Sequence, residues 1–250
     1  MREIFSRNIL FWGEEKQALL ERSSVAVFGL GGVGGYCAEM LARAGIGNLV
    51  LVDYDKVSKT NINRQITALN STVGQLKTKL FFARLKDINP DLNIEIFSDF
   101  FRENITQKIF EEKKIDFIAD AIDTLRSKIS LIEHAYKNEI PIISSMGAGN
   151  RINPEKLYIS DISDIQDKKA PFISSVLYQL KKRNITKNIA VVASTEKPFV
   201  LEKKTEAEKI ETSSGEKIEF NKIIPASTPF VPSAAGILAA GYIIRKLLKL

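Results

Sequence analysis

The sequence has a single cysteine, Cys37, and a single histidine, His134, among 250 residues. One cysteine cannot form a disulfide framework or a four-cysteine zinc site within one chain. Folds held together by disulfides or by such a zinc site are therefore excluded. The first segment, MREIFSRNILFWGEEK, lacks the uninterrupted apolar run and the small-residue cleavage site of a secretion signal. We therefore expect a protein of a reducing compartment, the cytoplasm.

The chain has fewer acidic residues, 30, than lysines and arginines, 36, which gives a formal net charge of +6. A basic balance suits a polyanionic partner such as RNA, although many soluble proteins without one are equally basic. Basic residues concentrate in two segments, KKRNITK at 181–187 and RKLLK at 245–249. Each segment could contact a phosphate backbone, and each also fits the solvated end of a helix.

Short apolar runs alternate with helical apolar spacing through the first 154 residues, which predicts a doubly wound, mainly parallel Rossmann-like α/β sheet. The predicted strands are 25–28, 48–53, 92–97, 117–119 and 140–144, and the predicted helices follow the glycine turn at 29–34 and cover 76–88, 106–113 and 126–138. The whole chain, 1–250, is then a single domain whose residues 1–154 form a nucleotide-binding core.

The alternation changes after residue 154, and residues 155–250 are interpreted as a substrate-side extension. Strands are predicted at 157–161 and 189–193, with a helix at 170–182. The segment 196–222 is rich in Lys, Glu, Ser and Thr, which favours a mobile crossover loop. The last stretch, from 232 to 250, reads as one apolar helix, for which a core or dimer-interface role is favoured over membrane contact.

The motif GLGGVG places Gly29, Gly31 and Gly34 directly after a predicted strand and at the start of a helix. Such a turn needs backbone freedom and lets a phosphate approach amides at the positive end of the helix. Asp53 ends the next strand, where a carboxylate can accept hydrogen bonds from a ribose. These features predict a nucleotide site, but they fit an NAD-dependent oxidoreductase as well as an ATP enzyme.

Three further segments follow in order: DYDKVSKTNINRQ at 53–65, VGQLKTK at 73–79 and ADAID at 119–123. Together with GLGGVG, they resemble the ubiquitin-activating superfamily of adenylate-forming enzymes, whose members use ATP and Mg²⁺ and form homodimers. The resemblance implies catalytic roles for Arg64, Lys77 and Asp123, with Mg²⁺ at Asp123 and with Arg7 reaching the ATP of a partner subunit. The residues that it assigns to ATP are Gly29, Gly31, Gly32, Gly34, Asp53, Asp55, Asn61, Arg64, Gln65, Lys77, Asp120 and Asp123.

These residue types suit the activation of a carboxylate by ATP, because two anions must be brought together. Cationic Arg64 and Lys77 can neutralise phosphate charge, and the oxygens of Asp123 suit Mg²⁺. Each also has a structural interpretation. Arg64 could form a surface ion pair, Lys77 could be a solvated helix residue, and Asp123 could cap the following helix.

The lone Cys37 lies in the helix after the glycine turn, where a packing role is expected. A protein thioester is therefore not expected. His134 is likewise interpreted as a packing or surface residue and is left out of the site.

Further segments resemble a bacterial branch of the superfamily that dehydrates threonylcarbamoyladenosine in tRNA: FSRN with FWGEEK, GAGNRINP at 147–154, SerThrGlu at 194–196 and ProSerAlaAlaGly at 232–236. The branch implies adenylation of the threonine carboxylate, ring closure within the nucleoside, and tRNA as partner. Adenylation of a sulfur-relay or ubiquitin-like carrier protein is the first alternative. An NAD-dependent oxidoreductase would leave Asn61, Arg64, Lys77 and Asp123 unexplained, and a non-enzymatic tRNA-binding protein would leave the phosphate-handling residues without a use.

Overall fold

A computed structural model describes residues 3–99, 109–110, 114–202, 204–211 and 217–250. Its strands are β1 (Ser24–Phe28), β2 (Asn48–Val52), β3 (Asn93–Phe97), β4 (Phe117–Asp120), β5 (Ile142–Ser145), β6 (Leu157–Asp161), β7 (Ala190–Ser194), β8 (Lys204–Glu211) and β9 (Lys217–Ile224). The α-helices are α1 (Ser6–Trp12), α2 (Glu14–Arg22), α3 (Gly34–Ala44), α4 (Lys77–Ile88), α5 (Leu125–Lys137), α6 (Pro171–Lys181) and α7 (Phe230–Leu248).

Strands β1 to β7 form one sheet in the order β3-β2-β1-β4-β5-β7-β6. All neighbours pair in parallel except β6, which runs antiparallel at the edge. The order reverses between β1 and β4, and this switch point is where open α/β sheets bind ligands. The predicted doubly wound, mainly parallel α/β fold is confirmed.

After their first residue, the central strands β1 and β2 are apolar and buried, because helices cover both faces of the sheet. Val25 and Val27 of β1 belong to the hydrophobic core under α3, α4 and α7. Ala26 and Phe28, which point to the opposite face, belong to the core under α5 and α6. Alternating side chains of one strand thus join the two helical layers through the sheet.

The predicted substrate-side extension contributes to the same sheet, since β7 pairs with β5 and β6 pairs with β7. Within the predicted crossover loop at 196–222, β8 and β9 form a separate two-stranded antiparallel sheet, so the paired residues are not a loop, while the mobility of the segment stays a prediction. Its register pairs Glu206 with Lys222 and Lys209 with Glu219.

Helix α7 packs against α3 through small residues, among them Ala235 and Ala239, which are buried. By length and composition it is the one helix of the described residues that could cross a membrane, and half of its most apolar window is buried inside the fold. Its buried residues give this helix a role in the core, and the alternative role in a dimer interface stays a prediction. The predicted helix at 106–113 lies mostly outside the described residues. Only its residues 109–110 are described, and they are helical.

Candidate nucleotide-binding site

A cleft of about 610 Å³ opens where β1, β2 and β4 end. The loops after these strands form its floor, and the chain between β2 and α4 forms one wall. The lining residues that the sequence analysis assigned to ATP are Gly29, Gly31, Gly32, Asp53, Asp55, Asn61, Arg64, Gln65, Lys77 and Asp123. The folded chain thus brings together segments that are separated by more than 90 positions in sequence.

The glycine turn has no room for side chains at its tightest point. Gly29 has a φ of 85°, a conformation that favours glycine, and a Cβ at Gly34 would overlap the carbonyl oxygen of Gly29. A Cβ at Gly31 would meet only Nε2 of Gln65, at 3.6 Å. Gly34 therefore closes the turn, while Gly31 leaves space for a ligand at the start of α3.

The carboxylate of Asp53 supports the glycine turn as well as facing the cleft. Its Oδ2 accepts a hydrogen bond of 2.6 Å from the amide of Leu30, and its Oδ1 accepts one of 2.7 Å from the amide of Asp55. Burial raises the pKa of Asp53, against the opposing attraction of Lys77. Asp53 lines the cleft, and the expected ribose contact stays a prediction.

Lys77, the first residue of α4, is buried rather than solvated, with an exposed fraction of 3%. Its ammonium lies 2.7 Å from Oδ2 of Asp55 and 4.0 Å from Oδ2 of Asp53. Burial lowers the pKa of Lys77, but the two carboxylates outweigh this effect and the net pKa is raised. A fixed positive charge is thus held at the floor of the cleft, which excludes the interpretation as a solvated helix residue.

Arg64 follows a short 3-10 turn, Lys59–Asn61, on the wall of the cleft. Its Nη1 donates to the carbonyl of Thr60 at 2.8 Å and to Oδ1 of Asn63 at 2.9 Å. The amide of Ser58 donates to Oδ1 of Asn61 at 3.1 Å, which orients that side chain. Burial lowers the pKa of Arg64, and Asp123 partly opposes this shift.

Gln65, next to Arg64, has a buried side-chain oxygen for which the described residues provide no hydrogen-bond partner. Buried polar atoms are nearly always paired, so this oxygen is an exception within the described residues.

Asp120 and Asp123 of the ADAID segment lie in different places. Asp123 is exposed at the cleft, and it is not the cap of α5, whose N-cap is Thr124. Asp120 lies beneath the cleft with an exposed fraction of 2%, and Lys128 and Ser144 occupy one of its oxygens. The expectation that Asp120 contacts ATP directly is therefore corrected, because its carboxylate does not reach the cleft surface.

Arg7, His134 and Cys37 lie outside the cleft. Arg7 is exposed on α1. His134 packs against Phe110 with ring centroids 4.3 Å apart, in agreement with a packing role. Cys37 is buried in α3, and burial raises its pKa to about 12.

Sequence reasoning missed the far wall of the cleft, which includes Ala148, Gly149 and Ser227. The side chain of Asn63 donates to the carbonyl of Ser227 at 2.8 Å, and Asn150 exchanges two hydrogen bonds with Ala226. These contacts fix the end of the β8–β9 hairpin between the loop after β5 and the loop carrying Arg64. The segments TNINRQ and GAGNRINP contained a signal for this wall, since Asn63 and Asn150 belong to them.

Comparison with known proteins decides between the nucleotide chemistries that this cleft allows. The model of the ThiF family matches residues 5–249. The chain belongs to the ThiF family. The resemblance to the superfamily of ubiquitin-activating enzymes is confirmed, and the NAD-dependent alternative is excluded by the family match.

Two relatives of this ThiF-family protein are tRNA threonylcarbamoyladenosine dehydratases. The one from Bacillus subtilis (strain 168) is 42% identical over 245 residues, with 98% of this chain and 94% of the relative covered. The one from Haemophilus influenzae is 36% identical, with 93% and 88% covered. The crystal structure of the Escherichia coli tRNA N6-threonylcarbamoyladenosine dehydratase superposes with a TM-score of 0.84 at 27% identity, covering 99% of this chain and 95% of that one. That enzyme has also been crystallised with AMP and with ATP.

Proposed function

We propose that this protein uses ATP to dehydrate threonylcarbamoyladenosine in tRNA, through adenylation of the threonine carboxylate and closure of a ring. The observation that carries the proposal is the end-to-end match to dehydratases, at 42% identity over 98% of the chain. Adenylation of a carrier protein is the second candidate, since a molybdopterin-synthase adenylyltransferase matches over 57% of this chain at 32% identity. This match covers less of the chain than the match to the dehydratases does, so the RNA substrate is favoured.

The residues of the cleft fit ATP as the co-substrate. Open space above Gly31 admits a phosphate, and the ammonium of Lys77 lies at the floor. Asp123, the exposed carboxylate at the cleft, would hold Mg²⁺ together with phosphate oxygens, in the manner usual for this cation. When bound, Mg²⁺ would supply charge neutralisation of the phosphates.

The chain's own groups carry the first step, in which the substrate carboxylate attacks the α-phosphorus of ATP and pyrophosphate leaves. Lys77 and Arg64 both line the cleft and place fixed positive charge there, so the repulsion between the incoming carboxylate and the phosphates is reduced. Asp55 and Asp53 keep Lys77 protonated and immobile. The charges are thus in position before the substrates meet.

The second step needs no nucleophile from the protein. The carbamoyl group of the same nucleoside attacks the activated carbonyl carbon and displaces AMP, and the net change in the nucleoside is the loss of one water. Because this nucleophile is tethered to the activated carboxyl, its effective concentration is high. The protein's lone cysteine is buried in α3, in accordance with a mechanism that has no enzyme thioester.

The active unit is a homodimer in which α1 contributes to the subunit contact. Leu10 and Phe11 of α1 each have an exposed fraction of 83%, and Arg7 lies one turn before them. Burying these apolar side chains against a second copy would remove a costly exposure. Arg7 could then extend toward the partner's cleft.

A single incubation tests the proposed activity: purified protein with ATP, Mg²⁺ and tRNA that carries threonylcarbamoyladenosine, followed by mass spectrometry of the nucleosides under mild conditions. Loss of one water from that nucleoside, dependent on ATP and accompanied by AMP, is expected. An untouched nucleoside, with ATP–pyrophosphate exchange only in the presence of a carrier protein, would replace the RNA substrate by the second candidate.

A further inference from the structure

The positive charge of this chain is concentrated in one segment. Residues 168–188 contain six lysine or arginine residues and no aspartate or glutamate. The rest of the chain has 30 basic and 30 acidic residues, so this segment accounts for the whole net charge of +6. Such a concentration is the electrostatic footprint expected where a polyanion binds.

The segment consists of α6 and its two flanks, and its lysines are exposed. Lys168 and Lys169 precede the helix, Lys181 and Lys182 end it, and Lys187 follows. Arg183 forms an ion pair with Glu133 at 2.9 Å. Within the part of the chain that the structure describes, none of the five lysines forms a salt bridge, so their charge is available to a partner.

Helix α6 turns one face to the core and the other to solvent. Ile173, Val176 and Leu180 are buried against the sheet. Ser174, Tyr178 and Lys182 recur at intervals of four on the exposed side, where Nζ of Lys182 lies 4.5 Å from the ring centre of Tyr178. An exposed aromatic ring beside lysines offers a stacking surface for a base together with contacts for phosphates.

The position of α6 relates this face to the cleft. Phe172, in the first turn of α6, lies next to Gly147, whose neighbours Ala148 and Gly149 line the cleft. From there an 11-residue helix extends about 16 Å, so its basic end lies within the span of a few nucleotides from the site. A nucleoside held in the cleft would place the adjoining backbone over α6.

We propose that Lys168, Lys169, Tyr178, Lys181, Lys182 and Lys187, the α6 basic surface, bind the backbone of the RNA whose modified nucleoside enters the cleft. This inference rests on the proposed function. The surface supplies affinity that is independent of the reaction, because it lies on the flank of the sheet and not in the cleft. The competing segment at 245–249 is less suited, since it belongs to α7, in the opposite helical layer.

Two double variants with the same loss of charge test the assignment. Lys181→Gln with Lys182→Gln removes two charges from the α6 basic surface, and Arg245→Gln with Lys249→Gln removes two exposed charges from the end of α7. The dissociation constant for tRNA is measured for each protein between 50 and 200 mM salt. Losing two phosphate contacts lowers the salt slope by roughly 1.5 in the first variant only. Its KM for tRNA rises in parallel, while its affinity for ATP stays that of the parent.

Replacing Tyr178 by leucine tests the stacking contact, since it keeps every charge. Weaker tRNA binding with an unchanged salt slope is expected. Equal tRNA affinity and slope in both double variants would overturn the inference, whereas the proposed function would stand if the unmodified protein dehydrates its substrate. If the Lys181→Gln with Lys182→Gln variant binds a carrier protein more weakly but binds tRNA as the parent does, the inference about RNA is also overturned. If the parent protein fails to react but the first variant alone loses tRNA affinity, the surface is supported and the proposed function fails.

Discussion

The ammonium of Lys128 lies 2.6 Å from Oδ2 of Asp120, and neither side chain is exposed to solvent. The hydroxyl of Ser144 donates to the same oxygen at 2.6 Å and accepts from Lys128 at 3.0 Å. The remaining oxygen, Oδ1, accepts from the amide of Ile122 at 3.0 Å. The buried pair therefore fixes the turn that leads from β4 to Asp123, and it is part of the support of the cleft rather than its surface.

Removing one partner of this pair is expected to be costly. Lys128→Met leaves the Asp120 carboxylate buried without its cation, and the free energy of unfolding should fall by about 3–5 kcal/mol. The double variant Lys128→Met with Asp120→Asn should recover part of this loss, because no uncompensated charge remains. Urea unfolding of both variants measures the difference. A single variant that matches the parent protein would show that the pair contributes no net stability.

The two glycines of the phosphate turn should respond differently to alanine. Gly34→Ala places a methyl group against the carbonyl of Gly29, so loss of folded protein is expected. Gly31→Ala finds only Gln65 at 3.6 Å, so the fold should persist while the methyl group fills the ligand space. Thermal unfolding with and without ATP separates these effects. Stabilisation of Gly31→Ala by ATP to the same extent as the parent would place the phosphates elsewhere.

The sequence predicted the parts of the site that lie on the first strand–turn–helix unit and at the end of the strand that follows it. Gly29, Gly34 and Asp53 followed from local pattern, since the turn and the strand end each have a recognisable composition. The local pattern did not show which of the two carboxylates, Asp120 or Asp123, faces the cleft. Which carboxylate faces the cleft depends on Lys128 and Ser144, which come from the next helix and the next strand and are brought to Asp120 only by folding.

The far wall of the cleft was unpredicted for the same physical reason. Ser227 and Pro232 reach the site because the end of the hairpin and the start of α7 fold back over the glycine turn. A Cβ on Gly32 would lie 3.0 Å from Pro232, which shows how closely the C-terminal segment approaches. Contacts between residues 200 positions apart leave no periodic signal in the chain.

Cys37 should be inert in the folded protein. Burial raises the pKa of its thiol to about 12, so at pH 8 almost none of it is thiolate, the reactive form. Alkylation by iodoacetamide at pH 8 should therefore proceed no faster than unfolding and should become rapid in urea. Cys37→Ala is expected to keep ATP-dependent dehydration within a few-fold of the parent. Loss of turnover in a folded Cys37→Ala protein would require a thiol in the reaction.

Asp123 is the residue whose change best separates chemistry from folding. Because its side chain is exposed, Asp123→Asn should alter the free energy of unfolding by less than about 0.5 kcal/mol. Removing the carboxylate should nevertheless lower ATP turnover by roughly 100-fold or more and raise the Mg²⁺ concentration needed for half-maximal rate. Asp91→Asn, an exposed change before β3 at the opposite edge of the sheet, is the matched control and should leave both unchanged. Unchanged turnover and Mg²⁺ dependence in Asp123→Asn would remove this residue from the site.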